Sequence, residues 1–178
     1  MTQRYIALLR GVNVGRANRL SMDDFKAVLS RLGYDDPRTL LNSGNAVFTA
    51  SPRPEAALAA EIEAGLAEQC GLSVRVVVIS AEQLAEAIAR NPLTDIADDP
   101  SRLLVSFFRD DADLARLDEL TARDWTPEVF AVVGCVAYLW LPGGVTSSAL
   151  AAALARLVGN AVTSRNWATV LKLRDLSA

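Results

Sequence analysis

Apolar and polar positions along the chain fall into short blocks that switch between strand-like runs and helix-like spacings. Tyr5 to Leu9 is an unbroken apolar run with aromatic and β-branched members, the pattern of a buried strand. Met22, Phe25, Val28, Leu29 and Leu32 then share one helical face. Ser21-Met-Asp-Asp24 resembles a capping box for that helix, Leu20 and Phe25 form its hydrophobic staple, and Gly33 closes it. Residues 39–41 and 46–49 read as strands joined by Asn42-Ser43-Gly44-Asn45, ordinary hairpin chemistry. Pro52 and Pro54 open a second helix, with Leu58, Ile62 and Leu66 in register and Gly71 as its stop. Residues 74–79 are a β-branched strand. The order so far is β-α-β-β-α-β, the split βαβ or ferredoxin-like unit.

Ser80-Ala-Glu-Gln83 is a further capping box, and its helix, carrying Leu84 and Ile88, stops at Asn91-Pro92. An acidic linker leads to Pro100. The pattern then repeats: a strand over 103–108, and a helix led by Asp110, Asp111 and Asp113 that carries Leu114, Leu117 and Leu120. Strands over 129–133 and 136–141 flank Gly134-Cys135 as a tight hairpin. A helix runs from about Ser148 to Gly159, a short extended piece covers 161–163, and a terminal helix begins near Ser164. In that last helix Trp167, Val170 and Leu171 share one face, and Arg165, Thr169 and Lys172 another. The expected fold is α+β: two ferredoxin-like subdomains in tandem, 1–79 and 102–178, separated by a helix and linker over 80–101. Each half has a small core, so the halves are expected to pack on each other.

Composition narrows the chemistry. The chain has 178 residues, 51% of them hydrophobic, and a net charge of −3. That length buries roughly 70% of the unfolded surface if it packs as one unit, and the charge argues against non-specific nucleic-acid binding. No secretory signal or membrane span is evident, and the longest uncharged apolar stretch, residues 129–141, is short and interrupted by Gly134. A cytoplasmic protein without membrane attachment is expected. Cys70 and Cys135 sit alone among apolar neighbours, which suggests buried reduced thiols rather than a bridge or a metal site. The chain contains no histidine. Nucleophile systems that rely on imidazole are therefore excluded, together with the usual zinc ligands. No metal and no cofactor is expected.

Charge is uneven. Arg4, Arg10, Arg16 and Arg19 precede the first acidic residue, Asp23, whereas Asp95, Asp98, Asp99, Asp110, Asp111 and Asp113 crowd the middle. The first strand therefore leads into a basic loop, Arg10-Gly-Val-Asn13-Val-Gly15-Arg16-Ala-Asn18-Arg19. Glycines there permit positive φ, and backbone N–H groups with arginine donors suit an anion. Equally, glycine and asparagine simply shape and close a turn. Asp23 and Asp24 already complement the positive end of the first helix, so an anion would lean on the loop rather than on the helix terminus.

Several stretches together resemble one family: residues 9–15 (Leu-Arg-Gly-Val-Asn-Val-Gly), Asn18, Ser43-Gly-Asn45, Asn91-Pro92, the Tyr138 to Gly144 segment, and Arg165-Asn-Trp167 with Thr169-Val170. In order and approximate spacing the chain is similar, over nearly its whole length, to the bacterial family catalogued as domain of unknown function 1697. The resemblance implies a double ferredoxin-like α+β protein and no established activity. Two departures stand out. Arg16 occupies a place where the family usually has a second glycine, and Ser148-Ala149-Leu150 lacks a lysine that the family often carries.

A P-loop and a dinucleotide fingerprint are both absent. The leading expectation is a binding module for a small anionic or phosphate-bearing ligand, with Arg10, Asn13, Gly15, Arg16, Asn18, Ser43, Asn45, Arg165 and Asn166 at the site. Nucleic-acid binding is an alternative, with Tyr5 and Phe48 as the candidate stacking residues. A histidine-independent enzyme relying on arginine electrostatics is another. An interaction protein, including a homo-oligomer, is the fourth.

Overall fold

The computed structural model describes residues 1–178. It is an α+β protein with two four-stranded antiparallel sheets and six α-helices. The chain divides into two units, Met1–Leu84 together with Leu173–Ala178, and Ala85–Lys172.

In the first unit, β1 (Gln3–Leu9), α1 (Met22–Arg31), β2 (Asp35–Leu40), β3 (Asn45–Ala50), α2 (Glu55–Cys70) and β4 (Val76–Ser80) follow in order. The sheet order is β2-β3-β1-β4, which leaves β1 central, with Tyr5 opposite Phe48 of β3 and Ile6 opposite Ile79 of β4. Alternate residues Tyr5, Ala7 and Leu9 join the core formed with Phe48, with Phe25, Val28 and Leu29 of α1, and with Leu58, Ile62 and Leu66 of α2. Full burial of one such leucine or isoleucine is worth about 2 kcal/mol. Ile6 and Leu8, on the opposite face, are also buried. This is why β1 reads as a continuous apolar run instead of an alternating one. Ser21 caps α1 as expected, its hydroxyl accepting from Asp24 N at 3.0 Å. Gly71 ends α2 in the left-handed region.

Strand β2 starts earlier than the pattern predicts. Asp35, Asp36 and Pro37 are poor strand formers, but β2 pairs only with β3 and carries a register shift between Asp35 and Arg38. An edge strand with a bulge tolerates a proline, because no second neighbour needs its N–H. Leu41, read as strand, instead leaves β2 at φ +58.

Helix α3 (Ala81–Ala89) starts in the first unit and ends in the second. Its capping box forms reciprocally: Gln83 N donates to Ser80 Oγ at 3.1 Å, and Ser80 N donates to Gln83 Oε1 at 2.8 Å. The second unit continues with β5 (Leu103–Phe108), a 3₁₀ helix (Asp111–Leu117), α4 (Asp118–Thr121), β6 (Val129–Val133), β7 (Val136–Trp140), α5 (Ala149–Val158), β8 (Val162–Asn166) and α6 (Trp167–Ser177). The sheet order is β6-β7-β5-β8. One face carries Ala137, Leu139 and Val162 into a core with Leu150 and Leu154 of α5 and with Leu117 and Leu120.

Two expectations in this unit are corrected. Leu114, Leu117 and Leu120 do not ride one α-helix, since the first two lie in the 3₁₀ segment. Their strict spacing of three matches the three-residue turn of a 3₁₀ helix better than 3.6. Ser164, Arg165 and Asn166 are not helical either. They form the end of β8, with Arg165 opposite Val105 and Ser164 opposite Ser106. The inward residues of α6 are consequently Thr169, Val170 and Leu173, while Trp167 and Leu171 are half-buried.

Candidate functional site

The loop that follows β1 is built at its root by two backbone bonds. Leu9 N donates to Gly44 O at 2.8 Å, and Arg10 N donates to Arg75 O at 2.9 Å. Val12 is buried against the β2–β3 turn. A Cβ on Gly44 would lie 2.6 Å from Val12 Cγ2 and 2.7 Å from Leu9 Cβ, so the close approach requires glycine there.

Asn13 organises the rest. At φ +56 it takes a left-handed conformation that asparagine tolerates better than most residues. Its Nδ2 donates to Leu20 O at 2.8 Å and to Asn42 O at 2.7 Å. Its Oδ1 accepts from Leu20 N at 3.0 Å, and its own N–H donates to Asn18 O at 3.0 Å. One side chain thus closes the loop and ties it to the β2–β3 turn. Asn18, also left-handed at φ +50, contributes a longer bond from Nδ2 to Gly11 O at 3.4 Å. Gly15 is exposed at φ +62.

With the loop fixed in this way, Arg16 and Arg19 stand in solvent without an ion pair, and Arg10 is half-buried at the loop's root. The backbone N–H groups of Val14, Gly15 and Arg16 donate to no protein acceptor. Arg19 lies outside the ligand set expected from sequence. The signal for it was present in a basic stretch that runs unbroken to Asp23.

The other expected residues are placed as follows. Ser43 is exposed in the β2–β3 turn, and its hydroxyl accepts from Asn45 Nδ2 at 2.9 Å. Asn45 is fully buried and also donates from Nδ2 to Leu40 O at 2.8 Å, bracing that turn. Through Asn13 and Asn42, the structure brings the β1 loop and the Ser43–Asn45 turn together. Arg165 and Asn166 belong to the second unit. Asn166 caps α6, its Oδ1 accepting from Thr169 N at 2.9 Å. Arg165 is buried on β8, donating to Thr163 Oγ1 and Ser164 O, both at 2.9 Å. Burial pushes its pKa down to about 10, so the guanidinium is still a cation at neutral pH.

Other clusters have evident structural work. Tyr34 stacks on Phe48 with centroids 4.6 Å apart, and its hydroxyl bonds Glu61, which Arg53 also holds at 2.7 Å. Burial, then Glu61, raises the Tyr34 pKa well above the ordinary phenol value, and the hydrogen bond from Arg53 leads in holding the Glu61 carboxyl down. The phenol is locked as a neutral donor. In the second unit a surface groove of about 490 Å³ is lined by Asp98, Asp99, Pro100, Arg102, Trp140 and Pro142. Its one arginine is already paired with Asp99 at 3.3 Å.

The expectation of two buried thiols is corrected. Both cysteines are free, but Cys70 is half-buried and Cys135 is exposed, because it occupies the outward turn between β6 and β7. A hydrogen bond with Asp111 leads in raising the Cys135 pKa, the opposite of thiolate activation. No helix is long and apolar enough to cross a membrane.

Comparisons with known proteins follow the same architecture. No curated protein matches the chain. The structure of the conserved bacterial protein SP0830 from Streptococcus pneumoniae is similar over 100% of both chains, with a TM-score of 0.82 and 22% sequence identity. A likeness at that identity speaks for the fold alone. The family model described as "Protein of unknown function (DUF1697)" matches residues 1–138, and the chain belongs to that family.

Proposed function

We propose that the loop after β1 is a binding site for a small anionic or phosphate-bearing ligand. One observation carries the reading: a loop locked from within by Asn13 leaves Arg16, Arg19 and several backbone N–H groups with no partner in the protein. Such a set offers charge-assisted hydrogen bonds to an anion from a backbone already ordered, so the entropy cost of ordering the loop is not incurred on binding. Asn13, Asn45 and Asn166 serve this reading as framework residues, since each side chain already bonds within the protein. Each unit is read in the same proposal as a ferredoxin-like βαββαβ fold, with strand orders β2-β3-β1-β4 and β6-β7-β5-β8 supporting it. Fold of this kind carries no function by itself.

A nucleic-acid module is less favoured. Tyr5 and Phe48, its candidate stacking residues, are buried at 1% and 0% exposure and stack on each other's side of the core instead. The testing experiment is a thermal-shift screen of phosphate, nucleotides and acidic metabolites on the wild type and on Arg16→Ala. A ligand at one hundred times its Kd adds about 2.7 kcal/mol, which moves a melting curve by several degrees. A stabilising ligand whose effect falls in Arg16→Ala is expected. No stabilisation by any anion would contradict the proposal.

A further inference from the structure

Leu41 is not the residue that turn stability alone selects. At φ +58 the low-energy choices are glycine and asparagine, and a bulky aliphatic side chain there is an outlier. That side chain is also 48% exposed, so it gains little from the core. Val14, in the β1 loop, is 70% exposed. The 2.7 Å bond between Asn13 and Asn42 joins the two turns, with Val14 next in sequence to one end of it and Leu41 next to the other. Two water-facing aliphatic side chains therefore flank the bond that joins the turns, Val14 in the loop that carries Arg16, Arg19 and the open N–H groups, and Leu41 in the β2–β3 turn. Neither solvation nor backbone energy accounts for Leu41, and strained residues of this kind cluster where a ligand is held.

We infer that this site takes an organic phosphate, an anion carried on an aliphatic body, in preference to inorganic phosphate. Arg16, Arg19 and the loop N–H groups meet the anionic head, and Val14 and Leu41 meet the aliphatic part. The inference rests on the anion-binding reading above and names its ligand class. A soluble alkyl phosphate and a phospholipid head region both present this chemistry. Covering about two methylene groups' worth of aliphatic surface corresponds to a preference on the order of tenfold.

The test is calorimetric titration of inorganic phosphate and of octyl phosphate, below its micelle concentration, into the wild type and a Val14→Ser/Leu41→Asn variant. Asparagine suits the left-handed position, so the variant folds, and its melting temperature checks this. The wild type should bind octyl phosphate about tenfold more tightly, and the variant should bind both phosphates with the wild type's inorganic-phosphate affinity. Co-sedimentation with phosphatidylglycerol vesicles but not phosphatidylcholine vesicles, lost in the variant, assigns the phosphate to a lipid head. Octyl phosphate binding without vesicle binding assigns a soluble ester. Equal wild-type affinities for the two phosphates, or a preference that survives in the variant, overturns the inference and leaves the anion-binding proposal standing. No binding of either phosphate overturns both.

Discussion

The loop after β1 and the junction between β8 and α6 both join asparagine to arginine, and they place the two residue types in opposite ways. In both, asparagine serves the backbone: Asn13 closes its loop and Asn166 caps α6. The arginines part company. Arg16 and Arg19 point to water with no ion pair, whereas Arg165 is 9% exposed and bonded to Thr163 and Ser164 O. Like chemistry in the sequence thus resolves into an exposed basic surface at one junction and a buried polar contact at the other. What separates them is secondary structure. Arg165 lies on a strand flanked by β5, so its side chain is fixed on a covered sheet face, while Arg16 follows a glycine in an unpaired loop.

The comparison can be broken most severely at Arg165. Arg165→Ala removes two hydrogen bonds and leaves a cavity, and should cost about 3 kcal/mol of stability by urea denaturation. Arg165→Met, which keeps most of the volume, should cost less. An Arg165→Ala change of under about 0.5 kcal/mol would mean that Arg165 is not a core residue in the sense argued.

Asn13→Ala comes next. It strips three side-chain hydrogen bonds and puts alanine at a positive φ, for an expected loss of about 2 kcal/mol. The same variant should bind phosphate more weakly, because the loop is no longer held. A stable Asn13→Ala protein with unchanged phosphate binding would remove the framework role.

Away from both junctions, the Tyr34–Glu61–Arg53 group predicts a pH response that neither junction shares. Glu61 is held below the usual carboxylate range, chiefly by the hydrogen bond from Arg53, so its stabilisation is present above the unfolded carboxyl pKa and is lost as pH falls through the folded value. The pair is half-exposed, and solvent screening keeps the effect under about 1 kcal/mol. Glu61→Gln should make the acid limb of a stability–pH curve shallower. Tyr34 has the opposite sign of dependence: the folded state retains its proton, so stability present below pH 10 declines above it. An acid limb identical in wild type and Glu61→Gln would contradict the assignment.

Much of the framework was legible because its signals are local. Ser21, Ser80 and Ser148 cap the helices that their neighbours announce, and the apolar run over Leu103–Phe108 is the strand it suggests. The failures occur where tertiary context overrides local chemistry. Asp35-Asp36-Pro37 forms strand only because β2 is an edge. Ser164-Arg165-Asn166 looks like a helix start, yet β5 recruits it as strand. For the site, the basic loop and its asparagines were visible, but the division of labour was not. Nothing in the sequence says that Asn13 spends its amide on Leu20 and Asn42, that Arg165 is buried, or that Leu41 adopts a left-handed conformation. Those depend on the approach of the β2–β3 turn to the β1 loop, which Gly44 permits.

The smallest stability effect belongs to the residues with the largest proposed role, and their pairing gives the most direct measurement. Phosphate titration at low ionic strength, run alongside urea denaturation, should be carried out on the wild type and on Arg16→Gln/Arg19→Gln. The account predicts unfolding free energies within about 0.5 kcal/mol of each other and phosphate binding that is lost in the variant. A variant that unfolds at much lower urea, from a wild type that never bound phosphate, would contradict it and make these arginines part of the framework.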